Sequence, residues 1–244
     1  MRRVNFANDY FYHIYNRGTD KRKIFLDEKD YFRLIHDLYE FNNDSAALNV
    51  GFRFKLENYG GSASIIRTTS VKRTRDRLVD IISFCLMPNH FHFILKQLKE
   101  NGIAKFMQKL GTGYTMSFNQ KYKRSGSLFQ GRFKAILVDK DEYFLPLTSY
   151  IHLNPVELLE QGWKEKGIKN WQKVSKFLQN YRWSSFLDYT GTKNFPSVIS
   201  KDFLLNYFQG DNREKKYQQY LIDNLTSTFK GIIEEGLTIE VQPQ

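Results

Sequence analysis

Apolar positions along this chain switch between a period of two and a period near 3.6, and the switches fall at clusters of Gly, Pro, Asn and Ser. Residues 10–17 alternate loosely and are rich in aromatic and β-branched types, which predicts a first strand. Residues 18–22 read as a turn. Asp27 can cap a helix over 28–41, where Tyr31, Leu34, Ile35, Leu38 and Phe41 share a face. Val50, Phe52, Phe54 and Leu56 then alternate with Arg53, Lys55 and Glu57 as a short amphipathic strand, before the turn-prone Gly60-Gly61-Ser62. Over 78–87 both faces are apolar, with Val79, Ile81 and Cys85 expected on one and Ile82, Phe84 and Leu86 on the other. Such a strand is central and covered on both sides.

Met87-Pro88-Asn89 turns the chain back into a strand over 90–96, and 102–122 reads as the next helix. Gly111 and Gly113 weaken that helix by up to ~1 kcal/mol each relative to alanine. A strand over 135–138 leads to a helix that Asp139 or Asp141 can cap, holding Tyr143, Leu147, Tyr150 and Ile151 and kinked by Pro146. The β-α-β-β-α-β order predicts an α+β, ferredoxin-like sandwich. Further helices are expected over 171–181, 203–208 and 213–229, with a short segment starting at Trp183. The domain reading is therefore 1–165 as one unit carrying an inserted segment at about 44–77, and 166–244 as a helical extension.

Charge narrows the class of partner. The 244 residues carry a formal +11, with 16% aromatics interleaved among the basic residues, and nucleic acid fits that pattern best. No apolar run approaches the ~20 residues that span a bilayer. The start, Met1-Arg2-Arg3-Val4-Asn5-Phe6, has no apolar stretch behind its charges and does not read as a signal peptide. Cys85 is the single cysteine, so neither an intrachain disulfide nor a thiolate zinc cluster can form. A cytoplasmic protein is the simplest reading.

Candidate chemistry centres on His90 and His92, one residue apart in an otherwise apolar run. In a strand both imidazoles leave from the same face, while Phe91, Phe93 and Leu95 leave from the other. Such a pair can present two nitrogens to one metal ion; a half-buried pair bonded to backbone or water explains the spacing equally well. If the following helix persists, Tyr150 and Asn154 share one face and His152 points elsewhere. The Asn154 amide oxygen can supply a third ligand, or Asn154 can be an N-cap with Pro155 at the first helical position. Tyr150 equally fits a buried helix tyrosine, and His13 reads as structural. Two neutral imidazoles and an amide oxygen leave nearly the full charge on a divalent ion and suit Mg²⁺ or Mn²⁺ better than a closed zinc site. That ion can polarise a phosphodiester, which a free phenol, with a pKa of ~10, attacks poorly without help. Arg67, Lys72, Arg73, Arg75 and Arg77 crowd one stretch, and Lys121, Lys123 and Arg124 make a helix end cationic; phosphate contact and a plain solvated face both fit.

Leu86-Met87-Pro88-Asn89-His90-Phe91-His92 resembles the His-hydrophobic-His motif of the HUH single-tyrosine transposases. With Ser127-Leu128-Phe129-Gln130-Gly131-Arg132-Phe133-Lys134 and Tyr150-Ile151-His152-Leu153-Asn154-Pro155-Val156 in that order, it resembles the REP-associated tyrosine transposase branch. Weaker similarity runs from Tyr12-His13-Ile14-Tyr15-Asn16-Arg17-Gly18 through Trp183-Ser184-Ser185-Phe186. The resemblance implies the HUH endonuclease fold, a ferredoxin-like antiparallel sheet with packed helices, binding single-stranded or hairpin DNA. It implies His90 and His92 as ligands of Mg²⁺ or Mn²⁺, with Asn154 in the third-ligand position. Tyr150 is then the nucleophile that joins the 5′ phosphate, leaves a 3′ hydroxyl and allows rejoining. Candidate DNA contacts are Arg17, Lys72, Arg73, Arg75, Lys121, Lys123, Arg124, Arg132 and Lys134. No membrane partner is implied, and relatives occur both as homodimers and as monomers. Two features depart from the pattern, the long link at about 44–77 and Pro146. The competing functions are a domesticated, non-catalytic nucleic-acid-binding regulator and a related replication or transfer nickase. A pure binder needs none of His90, His92, Tyr150 and Asn154.

Overall fold

The computed structural model describes residues 4–46 and 75–224. The expected strand at 50–56, the Gly60-Gly61 break, Lys72 and Arg73, and the chain past residue 224 lie outside the described residues. Strands β1 (Phe11–Arg17), β2 (Val79–Met87), β3 (His90–Gln97) and β4 (Lys134–Val138) form one antiparallel sheet in the order β2-β3-β1-β4. Helix α1 (Glu28–Glu40) connects β1 to β2, and α2 (Gly102–Lys121) connects β3 to β4. This is the α+β, ferredoxin-like order expected. Asp27 starts α1 through a capping box, accepting from the Asp30 amide while the Asp30 carboxylate accepts from the Asp27 amide. Tyr12, Ile14, Phe91, Phe93 and Leu95 turn one sheet face toward α1 and α2, making a first core with Leu34, Leu38, Phe106 and Leu110.

The opposite face carries α3 (Asp141–Leu153), which continues through Pro146 and passes into a 3₁₀ turn over Asn154–Leu158. Asn154 keeps helical dihedrals (φ −52, ψ −38), so Tyr150 and Asn154 do share a face. Pro146 precedes that whole stretch and leaves its register intact. Neither Asp139 nor Asp141 caps α3: Lys140 holds the N-cap position without a side-chain bond, and Asp141 falls in the first turn, where it still complements the helix dipole.

The two-face assignment of β2 needs correction. A bulge between Ile81 and Ser83 inserts one residue into the β2–β3 ladder. Val79 and Ile81 therefore join Phe84 and Leu86 in the first core, while Ile82 joins Cys85 and Met87 in the second.

Beyond α3 come α4 (Trp163–Lys166), α5 (Trp171–Asn180), α6 (Phe186–Tyr189), α7 (Asp202–Leu205) and α8 (Arg213–Asp223). Their apolar faces close over the second core, where Leu147, Tyr150 and Ile151 meet Trp163, Val174, Leu178, Phe186 and Tyr217. The same segment saturates the β2 edge. Leu86 donates to Trp183 O at 2.9 Å, Ser185 donates to Phe84 O at 3.0 Å, and the Tyr189 hydroxyl donates to Ile82 O, the bulge carbonyl, at 2.6 Å. An edge strand covered in this way presents no row of free amides to another chain. Among the described residues, no helix is long and apolar enough to cross a membrane.

Candidate active site

Strand register decides which side chains meet. Across β1 and β3, Arg17 pairs with His90, Tyr15 with His92, and His13 with Ile94; across β1 and β4, Tyr15 pairs with Lys134. Alternation sends His13, Tyr15, Arg17, His90, His92 and Lys134 to the α3 face. The two imidazoles stand nearly perpendicular, 89° apart with ring centroids at 5.1 Å.

Each imidazole is wired at its outer nitrogen. His90 Nδ1 lies 2.6 Å from Asn89 Oδ1, and Asn89 is oriented by its own amide nitrogen donating to Lys21 O at 3.3 Å. Both His90 nitrogens face amide oxygens, which only accept; the much shorter contact, to Asn89 Oδ1, favours the proton on Nδ1 and leaves the lone pair on Nε2. His92 Nδ1 lies 2.9 Å from His13 Nε2, while His92 Nε2 is buried without a hydrogen-bond partner. Both rings are neutral. Burial first, then the Lys164 ammonium and Arg17, pushes the His90 pKa down to about 3. Burial, with His90, His13 and Lys164 beyond it, holds His92 well below the usual imidazole range. Neutral imidazole is the metal-binding form.

From the helical side, Asn154 Oδ1 stands 3.4 Å from His90 Nε2, and the Asn154 amide nitrogen is buried without a partner. Tyr150, 0% exposed, sets its ring edge-on to His92 with centroids 5.6 Å apart. Its oxygen accepts from Lys164 Nζ at 2.8 Å. Tyr15 completes this wall, its phenol pushed up by burial and by Tyr150 beside it.

The residues present fit a divalent cation. With the His90 proton on Nδ1, two acceptors, His90 Nε2 and Asn154 Oδ1, face each other with no proton between them, beside the orphaned His92 Nε2. Leaving such groups buried and uncompensated is costly; a cation relieves the two facing acceptors, and His92 Nε2 with them in the tautomer whose Nδ1 donates to His13. Among the described residues no group of three or more His, Cys, Asp or Glu side chains is placed to hold a metal. Two imidazoles and an amide oxygen form an open set, the kind that leaves positions for water and substrate oxygen.

The other expected residues divide by position. Arg17, whose Nε donates to Gln130 Oε1, and the exposed Arg132 and Lys134 lie at the His90 end of the sheet, where Gln130 donates to Arg17 O at 2.8 Å. Lys123 is exposed past the end of α2. Arg124 is tied to Asn119 Oδ1 at 2.7 Å and Ser127 O at 3.1 Å. Lys121 is held between Asp27 and Asp30 at 2.7 and 2.6 Å, so its charge is largely answered within the protein. Arg75 is not brought to the site. It donates to Tyr39 O at 2.7 Å and stacks over the Tyr39 ring, near the Val79–Gln97 end of the sheet. His152 points away as expected, into Tyr217 Oη at 2.6 Å and Ser185 Oγ at 2.8 Å. Lys164 escaped the sequence reading, and His13, read as structural, has a partner the sequence did not show. Lys164 sits in a four-residue helix too short to show a period. His13 had the right strand parity, but its contact with His92 appears only once the β1–β3 register is known.

Residues 62–154 match the model of a family described as Transposase IS200 like, a span that runs through β2, β3, α2, β4 and α3 to end on Asn154. Among solved structures, one of a REP-associated tyrosine transposase bound to a REP hairpin is similar, with a TM-score of 0.50 and 15% sequence identity, covering 83% of this chain and 92% of that chain. At that identity the likeness establishes the fold. No curated protein sequence matches the chain. The resemblance carried by the three motifs is upheld by the family match and the shared fold.

Proposed function

We propose that this protein is a DNA transposase that cleaves and rejoins one strand of single-stranded or hairpin DNA through a 5′-phosphotyrosine on Tyr150. The observation that carries the reading is the open donor set on one sheet face: His90 Nε2, the orphaned His92 Nε2 and Asn154 Oδ1, beside Tyr150. A protein that only binds nucleic acid gains nothing from burying those groups uncompensated. His90, His92 and Asn154 would hold Mg²⁺ or Mn²⁺, which when bound polarises the phosphodiester. Tyr150 contributes the oxygen that bonds to phosphorus while the bond to the 3′ oxygen breaks, leaving a 3′ hydroxyl and a covalently held 5′ phosphate. Attack by a 3′ hydroxyl on that linkage reverses the step. Arg17, paired with His90, and Lys134, paired with Tyr15, balance backbone phosphate at the site, and Arg132, Lys123 and Arg124 extend the same cationic end. The hairpin held by the similar solved structure supports a hairpin as substrate here. In this reading the catalytic groups lie within residues 1–165, and residues 166–244 are the helical extension, whose described part, 166–224, braces them. Because Tyr150 is fully buried, α3 or α4 shifts to admit the strand.

The test is incubation with Mn²⁺ and labelled hairpins taken from DNA flanking the gene. A denaturant-resistant protein–DNA adduct is expected from the wild type and none from Tyr150→Phe. An adduct that persists in Tyr150→Phe reassigns the nucleophile, with Tyr15 next on this face.

A further inference from the structure

We infer that Lys164 is a catalytic residue of strand transfer: its ammonium holds the Tyr150 oxygen and offsets the negative charge that collects there as the bond to phosphorus forms or breaks. The inference rests on the reading of Tyr150 as nucleophile. Lys164 Nζ lies 2.8 Å from Tyr150 Oη and 4.5 Å from the centre of its ring. Its backbone is anchored. Trp163, 1% exposed, plugs α4 into the second core, and Gly162 enters the helix at φ 73 with its amide donating to Glu157 Oε1 at 3.0 Å. The side chain is half-buried, and its charge reaches both His90 and His92.

A structural role alone explains this arrangement poorly. Other tyrosines in the interior meet neutral partners: Tyr114 donates to Ile24 O, the half-buried Tyr181 to Leu86 O and Tyr189 to Ile82 O, and Tyr217 meets the neutral His152 ring. Those bonds satisfy a phenol without a charge. At Tyr150 the hydroxyl oxygen accepts from an ammonium, whose partial desolvation is costly unless an anion develops opposite it. Strand transfer supplies that anion. In cleavage the phenolic proton passes to solvent, the oxygen bonds to phosphorus, and the departing 3′ oxygen takes a proton from solvent. In rejoining, the 3′ hydroxyl gives its proton to solvent as it attacks, and the tyrosine oxygen leaves as a phenoxide beside Lys164 before it is reprotonated. Lys164 keeps its protons throughout and acts as a fixed charged donor.

The test compares single-turnover adduct formation, rejoining, hairpin affinity and melting for wild type, Lys164→Met, Lys164→Gln and Lys164→Arg with Mn²⁺. Lys164→Met, which loses donor and charge, is expected to slow both chemical steps on the order of 100-fold, as loss of one donor to a developing oxyanion does. Lys164→Gln, which loses the charge alone, is expected to slow both by a smaller factor. Hairpin affinity and melting should stay at wild-type values, and Lys164→Arg, which keeps the charge, should recover part of the rate. Lys164→Gln matters most, because it keeps a neutral donor in reach and remains usable if Lys164→Met folds poorly. Wild-type rates in Lys164→Gln overturn the inference; faster cleavage does so too, by showing that the lysine merely covers the tyrosine. An absent adduct in the wild type overturns the Tyr150 reading itself.

Discussion

The outer nitrogens of the two imidazoles matter to the site as much as the inner ones. Asn89 and His13 decide where the ring protons sit, and so which lone pairs face Asn154. Second-sphere partners of this kind are worth about 10- to 100-fold in metal affinity. Asn89→Leu and His13→Phe should therefore each weaken Mn²⁺ binding by about that factor while leaving hairpin affinity intact. Calorimetry with Mn²⁺ and the DNA-free protein reads this directly, and unchanged affinity in both variants would refute the wiring. Burial of neutral imidazole also sets an acid limit. His90 and His152 both have pKa values pushed down to about 3, chiefly by burial, whereas the unfolded chain takes up those protons near the ordinary 6.5. Between those values the unfolded state binds more protons, so stability falls as pH drops through this window and is level above it. At about pH 5 the linkage amounts to about 2 kcal/mol for each histidine. A urea midpoint that holds steady from about pH 7.5 to 5 would contradict it.

At the level of single elements, periodicity found the long helices and the hairpin because each buries one continuous face. Features set by contact rather than by period stayed out of sight. Ile81-Ile82-Ser83-Phe84 puts an isoleucine on either side, and a lone buried Ser83 is too weak a signal to mark the bulge that shifts its faces. Trp163–Lys166 is too short for a repeat, and so the residue touching Tyr150 went unnoticed. The two helix glycines show the same divide. At Gly111 an added Cβ meets nothing within 4 Å, whereas at Gly113 it would stand 2.5 Å from the Phe41 ring. Gly111→Ala should thus gain up to about 1 kcal/mol from helix propensity alone. Gly113→Ala should gain nothing or lose, because Phe41, buried at the end of α1, must move. Thermal melting of the two variants separates these outcomes, and equal stabilisation of both would show that α1 and α2 are not held at this distance.

Taken whole, the molecule joins its expected extension to the four-stranded sheet through extensive shared burial across the expected boundary at residue 165. Val174, Leu178, Phe186, Leu187, Tyr189, Leu204, Leu205 and Tyr217 share one core with Ile82, Cys85, Leu147, Tyr150 and Ile151, and Trp183 and Phe195 cross to the other core. Such partnership was illegible in the chain, since the helical patterns after 165 look like any peripheral amphipathic face. The buried contacts are also polar. His152, two residues before Asn154, is bonded on both ring nitrogens by the later residues Tyr217 and Ser185. A chain ended after residue 165 would lose those partners, strip the cover from Ile82 and Ile151, and free the β2 edge at Phe84 and Leu86. Unpartnered buried nitrogens cost about 1–3 kcal/mol each, and the uncovered apolar face costs more. The truncated chain should therefore bind a hydrophobic dye, aggregate through its free strand edge and lack a cooperative melt, while the full chain melts in one transition. A truncated chain that melts cooperatively would make the extension a separable module. Tyr217→Phe in the full chain probes the same linkage gently. It should lower stability by about 1–3 kcal/mol through the orphaned His152 nitrogen. It should also slow adduct formation, because the helix turn that carries Asn154 loses its brace. A stability loss with no change in adduct rate would confine the extension to holding the fold together.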